Sequence, residues 1–281
     1  MAGPAQDAWP AEETPMTATR DRYTSRPRSV ARFVAQRGIL KPVVWSAVNV
    51  KVIGLEILKD VESPYVAVAN HSSHLDAPLV MCGLPWRLAR HMSTGVAADY
   101  FFDVWWRRGL TKLFFNAFAI ERPGSQGSPE GQGAAEGQGG QRRGASAKGL
   151  LTRGVSLLVF PEATRGRDSG RSVRAFNPGA AAIARSADAP VLPIALIGTG
   201  MAHPKGSPWP GPGRHPVAIV FGEPLRARAG ESATVFTERV RRSIVALINQ
   251  HSEAVLGQPQ LLQPDGRTGG ASTERPEEKS A

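Results

Sequence analysis

His71 and Asp76 stand five positions apart in Asn70-His71-Ser72-Ser73-His74-Leu75-Asp76, directly after the apolar run Tyr65-Val66-Ala67-Val68-Ala69. The run reads as a short buried strand. An imidazole and a carboxylate at this spacing meet across one helical turn or a tight loop. A carboxylate holding one ring nitrogen of His71 fixes the tautomer and leaves the other nitrogen as a general base. No Gly-x-Ser-x-Gly elbow accompanies the pair, so the chemistry it suggests is activation of a hydroxyl on the substrate itself. Two other readings stay open. His71, His74 and Asp76 are metal-ligand types, although four further histidines and Cys82 form no second cluster. Ser72 or Ser73 is also a helix N-cap candidate beside a structural histidine. His74 alone reads as a surface or packing residue.

A second set of residues suits an anion. Arg122 follows the apolar Ala119-Ile120, and Leu158-Val159-Phe160 leads into Pro161-Glu162-Ala163-Thr164-Arg165. Ligand groups gather where the strands of parallel α/β sheets end. Arg122 and Arg165 there would converge on a phosphate through guanidinium forks. Thr164 would add hydrogen bonds, and Glu162 would orient Arg165 or accept from a substrate hydroxyl.

The elements that must position these groups alternate. Strands are predicted at Val50–Leu55, Tyr65–Ala69, Ala117–Glu121, Val155–Phe160, Val191–Ile197 and Val217–Phe221. Helices are predicted at about Ala77–Cys82, Phe102–Asn116, Ala147–Arg153, Pro178–Ser186 and Ala233–Glu253. The pattern implies an α/β fold, a mixed, mostly parallel sheet flanked by helices. Residues 123–144 are rich in Gly and Gln and read as a flexible insertion. Residues 1–28 and 257–281 read as disordered tails, leaving a folded domain over 29–256.

The chain has 281 residues, is 41% hydrophobic and carries a formal net charge of +10. That balance favours polyanionic partners: acidic phospholipid, phosphorylated substrates or nucleic acid. No nucleic-acid motif is present, so no nucleic-acid partner is expected. A single cysteine excludes an internal disulfide and fits a reducing compartment. No signal peptide is evident, and the apolar stretch Ile39–Trp45 is broken by Lys41 and Pro42, so no spanning helix is expected. Ser29–Trp45 and Asp99–Phe118 nonetheless interleave Arg and Lys with Phe, Trp and Val, the composition of helices that lie on an anionic membrane.

In order and spacing the four segments resemble the glycerolipid acyltransferase family, its 1-acylglycerol-3-phosphate (lysophosphatidic acid) acyltransferases in particular. Asn70, His71, Ser73 and Asp76 match the first motif, Ile120-Glu121-Arg122 the second, Phe160-Pro161-Glu162-Ala163-Thr164-Arg165 the third, and the stretch around Pro193 the fourth. The resemblance covers about Val50 to Leu225. It implies the glycerol-3-phosphate acyltransferase-like fold, with His71 and Asp76 as catalytic dyad. It places Asn70, Ser73, Arg122, Glu162, Ala163, Thr164 and Arg165 at the substrates. It implies acyl transfer from acyl-CoA or acyl-carrier protein to a lysophospholipid hydroxyl without an acyl-enzyme, at a site that faces the bilayer. No metal or other cofactor is expected, and with no signal peptide or spanning helix the chain is expected at the cytoplasmic face of the cell membrane. Ala163 stands where the family motif has glycine, and Val96-Ala97-Ala98-Asp99-Tyr100 lacks a lysine many relatives carry; Lys112 or Arg107 would have to substitute. Both departures bear on the acceptor, for which glycerol 3-phosphate, another lysophospholipid or a glycolipid are alternatives. A thioesterase, with water as acceptor, and a non-catalytic membrane-binding protein of the same fold are the remaining readings.

Overall fold

Every position of Val66–Ala69 is apolar, and a strand of that kind belongs inside a sheet covered on both faces. In the computed structural model, which describes residues 23–97, 116, 118–120, 147–162, 168, 170–207 and 209–263, the strand lies at the centre of the sheet. Seven strands, β1 (Asn49–Ile53), β2 (Val66–Ala69), β3 (Met92–Ala97), β4 (Phe118–Ile120), β5 (Ser156–Val159), β6 (Val191–Ile197) and β7 (Pro216–Phe221), form one sheet in the order β1-β7-β6-β2-β5-β3-β4. All neighbours are parallel except β6 and β7. The sheet is the mixed, mostly parallel one the sequence predicts. Because β7 runs against β6, β7 and β1 begin at the end where β2, β5 and β6 finish. That end carries the dyad.

The two faces separate by strand alternation. β2 sends Val66 and Val68 into one core and Ala67 and Ala69 into the other. The first core is roofed by α5 (Ala147–Leu151), α6 (Gly179–Ser186) and α8 (Ala233–Leu256), the last laying Phe236, Val240, Ile244 and Ile248 at four-residue steps along the sheet. Ser232 caps α8 by accepting from Val235 N–H, and Gly257 ends it with φ 73°. The second core lies under α2 (Lys41–Ala47), α3 (Asp76–Gly83) and α4 (Trp86–Ala89).

Several expectations are revised. β3 was not foreseen, because Ser93, Thr94 and Gly95 interrupt its apolar pattern; buried Ser93 settles its hydroxyl on the Asn116 carbonyl instead. The packed core also extends past both ends of 29–256: Tyr23 and Leu262 are buried in the first core. The predicted helix Phe102–Asn116, apart from its last residue, and the insertion 123–144 lie outside the described residues.

The N-terminal helical segment is built inside out. α1 (Arg26–Ala35) passes into α2 through a π-helical turn, Gln36–Leu40, in which Lys41 N–H reaches the Gln36 carbonyl. Pro42, next in the chain, has no N–H to continue an α-helical ladder. The inward face carries Ser29, Arg32 and Gln36, and Arg37 also turns inward. The Arg37 guanidinium donates to the Cys82 and Leu84 carbonyls at the C-terminus of α3, Arg32 donates to the Arg90 carbonyl, and Cys82 Sγ–H donates to the Gln36 carbonyl. The outward face is apolar: Val30, Val34, Ile39 and Val43 are 54%, 61%, 60% and 57% exposed. Their spacings of four, five and four residues hold one line because the π turn absorbs the extra residue.

Gly198 links β6 to α7 (Thr199–Ala202) with φ +78°, and a Cβ there would stand 2.4 Å from the Pro216 carbonyl oxygen. Gly198→Ala is therefore expected to lower the urea-unfolding free energy by about 1–3 kcal/mol. Unchanged stability would show that the β6–β7 corner relaxes freely.

Candidate active site

Where β2 ends, the chain has to turn without leaving buried polar groups unpaired. Asn70 solves the first step. Its side-chain amide donates to the Leu196 carbonyl at 2.9 Å and accepts from Leu196 N–H at 2.8 Å, extending the β2–β6 ladder by a side chain. Expected at the substrate, Asn70 is spent on the sheet.

Asp76 solves the second step. It is fully buried at the first position of α3. Its Oδ2 accepts three hydrogen bonds: from His71 Nδ1 at 2.9 Å, Ser72 N–H at 2.7 Å and Ser73 N–H at 2.8 Å. A carboxylate only accepts, so Nδ1 carries the proton and Nε2 presents its lone pair. Neither Ser72 nor Ser73 caps α3, whose N-cap is Leu75 with no side-chain bond; the Asp76 carboxylate closes the loop from inside the helix. Ser73 Oγ donates to the His203 carbonyl and accepts from Leu75 N–H, both at 3.2 Å, and Ser72 Oγ pairs with Thr199 Oγ1 at 2.8 Å. Ser73, expected at the substrate, is fully buried and shapes the loop.

Glu162 closes the frame from β5. One carboxyl oxygen accepts from His71 N–H at 2.8 Å and the other from Arg174 N–H at 3.3 Å. Burial pushes this carboxyl up to about 8; the two backbone N–H groups oppose the rise and the Asp76 charge adds to it. Phe160, from the same segment, stacks on the partly exposed His71 ring with centroids 4.5 Å apart and planes 29° apart. The imidazole is thus held at Nδ1, at its backbone N–H and across one face. Such a group abstracts a proton from a hydroxyl presented to Nε2.

The structure therefore gathers Asn70, His71, Ser73, Asp76 and Glu162 around one turn. Arg122, Ala163, Thr164 and Arg165 lie outside the described residues. His74 faces His203, with centroids 5.8 Å apart, and among the described residues no three His, Cys, Asp or Glu side chains group as metal ligands. Sequence reasoning missed Phe160, Thr199 and the Arg174 N–H. Phe160 adjoins the Pro161-Glu162 pair and was within reach of motif reading; the others meet the site only through the fold.

A family model described as Acyltransferase matches residues 49–197, from the first residue of β1 to the last of β6. A chloroplastic 1-acyl-sn-glycerol-3-phosphate acyltransferase, BAT2 of Brassica napus, is 36% identical over 101 residues, which are 36% of this chain and 27% of that protein. A 1-acyl-sn-glycerol-3-phosphate acyltransferase of Limnanthes douglasii is 30% identical over 166 residues, 59% of this chain and 51% of that protein. The chain thus spans about half the length, or less, of these curated relatives. Among solved structures, the 1-acyl-sn-glycerophosphate acyltransferase PlsC of Thermotoga maritima superposes with a TM-score of 0.56 at 25% identity, over 79% of this chain and 81% of that one.

The raised Glu162 carboxyl carries a pH signature. Unfolded, the group ionises near 4.5; folded, near 8. Its neutral form is favoured in the fold, so its contribution is complete below the unfolded value and fades as pH rises through the folded one. Between pH 5 and 8, wild type is expected to lose on the order of 3 kcal/mol relative to Glu162→Gln, which does not titrate. Urea midpoints at several pH values test this; parallel curves would show that Glu162 is already ionised at pH 5.

Proposed function

This chain belongs to the acyltransferase family, and from that premise we propose that it moves a fatty acyl group from a thioester donor to the free hydroxyl of a lysophosphatidate-like acceptor. The donor is acyl-CoA or acyl-carrier protein. The observation that carries this reading is the imidazole of His71, whose Nδ1 is held by the buried Asp76 carboxylate at 2.9 Å, leaving Nε2 as the proposed base. Nε2 takes the acceptor's hydroxyl proton as its oxygen attacks the thioester carbonyl. The carbon–oxygen bond forms, the carbon–sulfur bond breaks, and the thiolate recovers the proton from the imidazolium. Positioning and base assistance supply the rate, because a thiolate is a good leaving group. The nearby hydroxyls favour direct transfer over an acyl-enzyme: Ser72 Oγ is paired with Thr199, and Ser73 Oγ with the His203 carbonyl. The curated relatives and the matched structure bear the name 1-acyl-sn-glycerol-3-phosphate or 1-acyl-sn-glycerophosphate acyltransferase, which supports the lysophosphatidate-like acceptor. Arg122, Thr164 and Arg165 are the proposed phosphate ligands, with Ala163 beside them bearing on acceptor preference.

The reaction is proposed to occur at an anionic membrane surface, which the chain touches without crossing. No helix among the described residues is long and apolar enough to span a bilayer. The line of Val30, Val34, Ile39 and Val43 supports contact, as does Trp209, 77% exposed in the loop between α7 and β7. That loop is tied to α2 by Arg214, which donates to the Trp45 carbonyl at 2.9 Å. α2 and the loop both feed strands that begin at the dyad end of the sheet. Arg26 and Arg28 flank the apolar line with charge suited to phospholipid headgroups.

Two outcomes follow. Thiol release from oleoyl-CoA should require lysophosphatidic acid and fall about 10²–10⁴-fold in His71→Ala. Full turnover in that variant would exclude His71 as the base, and release without acceptor would indicate a thioesterase. Val34→Asp combined with Ile39→Asp should release the protein from vesicles containing anionic lipid while leaving its unfolding midpoint unchanged. Undiminished sedimentation with vesicles would place the membrane contact elsewhere.

A further inference from the structure

Asp76 holds His71 with one oxygen only. Oδ2 accepts from the ring and from the Ser72 and Ser73 N–H groups, whereas Oδ1 is buried and has no hydrogen-bond partner among the described residues. No hydrogen bond to Oδ1 therefore fixes the rotation of the carboxylate. The two backbone N–H groups decide which oxygen faces the imidazole, and whatever fixes Ser72 and Ser73 fixes the ring with them.

Both residues are tied to one place, the corner where β6 passes into α7. Ser72 Oγ is hydrogen-bonded to Thr199 Oγ1 at 2.8 Å, and Ser73 Oγ donates to the His203 carbonyl at 3.2 Å. Thr199 opens α7 and is fully buried. The corner is itself held at its far end: Gly211 N–H donates to the Ala202 carbonyl at 2.8 Å, and His203 Nε2 stands 2.9 Å from the Ser207 carbonyl. Gly170 packs beside the Ser72–Thr199 pair, since a Cβ on it would stand 3.1 Å from Ser72 Oγ and 3.8 Å from Gly200 N. Ser72 is buried as well, so its hydroxyl depends on Thr199 and not on solvent for a partner.

We propose that Thr199 is a positioning residue for the dyad: its hydroxyl anchors Ser72, so that Ser72 N–H stays on Asp76 Oδ2 and the His71 ring stays aimed. This rests on the acyl-transfer reading above, in which His71 Nε2 receives the acceptor's proton. Thr199 acts on that step through Ser72 and Asp76. Its effect belongs in kcat and not in how either substrate is held.

The test compares Thr199→Val, which keeps the shape and loses the hydroxyl, with Thr199→Ser, which keeps the hydroxyl and loses the methyl. Amide hydrogen exchange in the full chain without substrate is read first. Exchange at Ser72 is expected to accelerate about tenfold in Thr199→Val, with the β2 and β6 amides unchanged, and to stay near wild type in Thr199→Ser. Steady-state kinetics are read second. In Thr199→Val kcat is expected to fall about five- to tenfold, the worth of one hydrogen bond, with both KM values unchanged; Thr199→Ser is expected to keep kcat. Ser72→Ala breaks the same bond from the other side and stands in for Thr199→Val if that variant does not fold. It is expected to lose kcat equally, and the double variant to lose no more. Unaltered exchange at position 72 in both single variants would overturn the tie whatever the activity. Faster exchange with an unaltered kcat, a raised KM in its place, or a Thr199→Ser variant as slow as Thr199→Val would overturn the positioning role. Faster exchange in a chain whose wild type shows no acceptor-dependent turnover would remove the premise of acyl transfer and the kinetic role with it.

Discussion

Three N–H groups converge on one buried oxygen, Asp76 Oδ2, and the site depends on that convergence. Two of the donors are backbone amides of the turn after β2, so the carboxylate shapes the chain that presents the imidazole. The third is the imidazole itself. Removing the carboxylate would leave two buried amides without a partner as well as an unoriented ring, which makes Asp76 a structural and a chemical group at once. The geometry around it is held by opposite means at the two ends of α3. At the N-terminus the Asp76 charge sits where the helix dipole favours an anion, and at the C-terminus Arg37 closes the last carbonyls.

That second contact joins the site to the N-terminal segment. Arg32 and Arg37 turn inward because each guanidinium finds backbone carbonyls there, and Val30, Val34, Ile39 and Val43 are left outside. An α-helix without the π turn would carry Ile39 off the line of Val30 and Val34. The irregularity at Pro42 therefore preserves an exposed apolar row. Such a row has no partner within the chain's described residues, which is why the membrane contact is proposed there.

Much of the frame was legible in the sequence. β2, β6 and β7 are apolar runs, β6 with Pro193 inside it, and all three are legible nearly to the residue. α8 announced itself by its helical spacing, read over Ala233–Glu253 and so only slightly short of its end at Leu256. The dyad was legible because both its members lie in one short segment. Other features were not, for definite reasons. β3 hides behind Ser93, Thr94 and Gly95, and the buried Ser93 hydroxyl is satisfied only by the Asn116 carbonyl that the fold brings in. Asn70 resembles a ligand-binding amide until Leu196, remote in sequence, takes both its ends. Gln260 sits in a stretch whose Pro, Gln and Gly content reads as a tail, yet its amide donates to the Gly170 carbonyl at 2.6 Å, a contact that no local pattern encodes.

The proposed role of His71 depends on the tautomer imposed by Asp76, and nitrogen-15 NMR of the His71 imidazole reads that tautomer directly. The expected spectrum places the proton on Nδ1 and leaves Nε2 bare, and Asp76→Asn is expected to lose this tautomer preference. A proton on Nε2 in the wild-type protein would leave the ring without a lone pair to receive a hydroxyl proton and would contradict the assignment of His71 as the base.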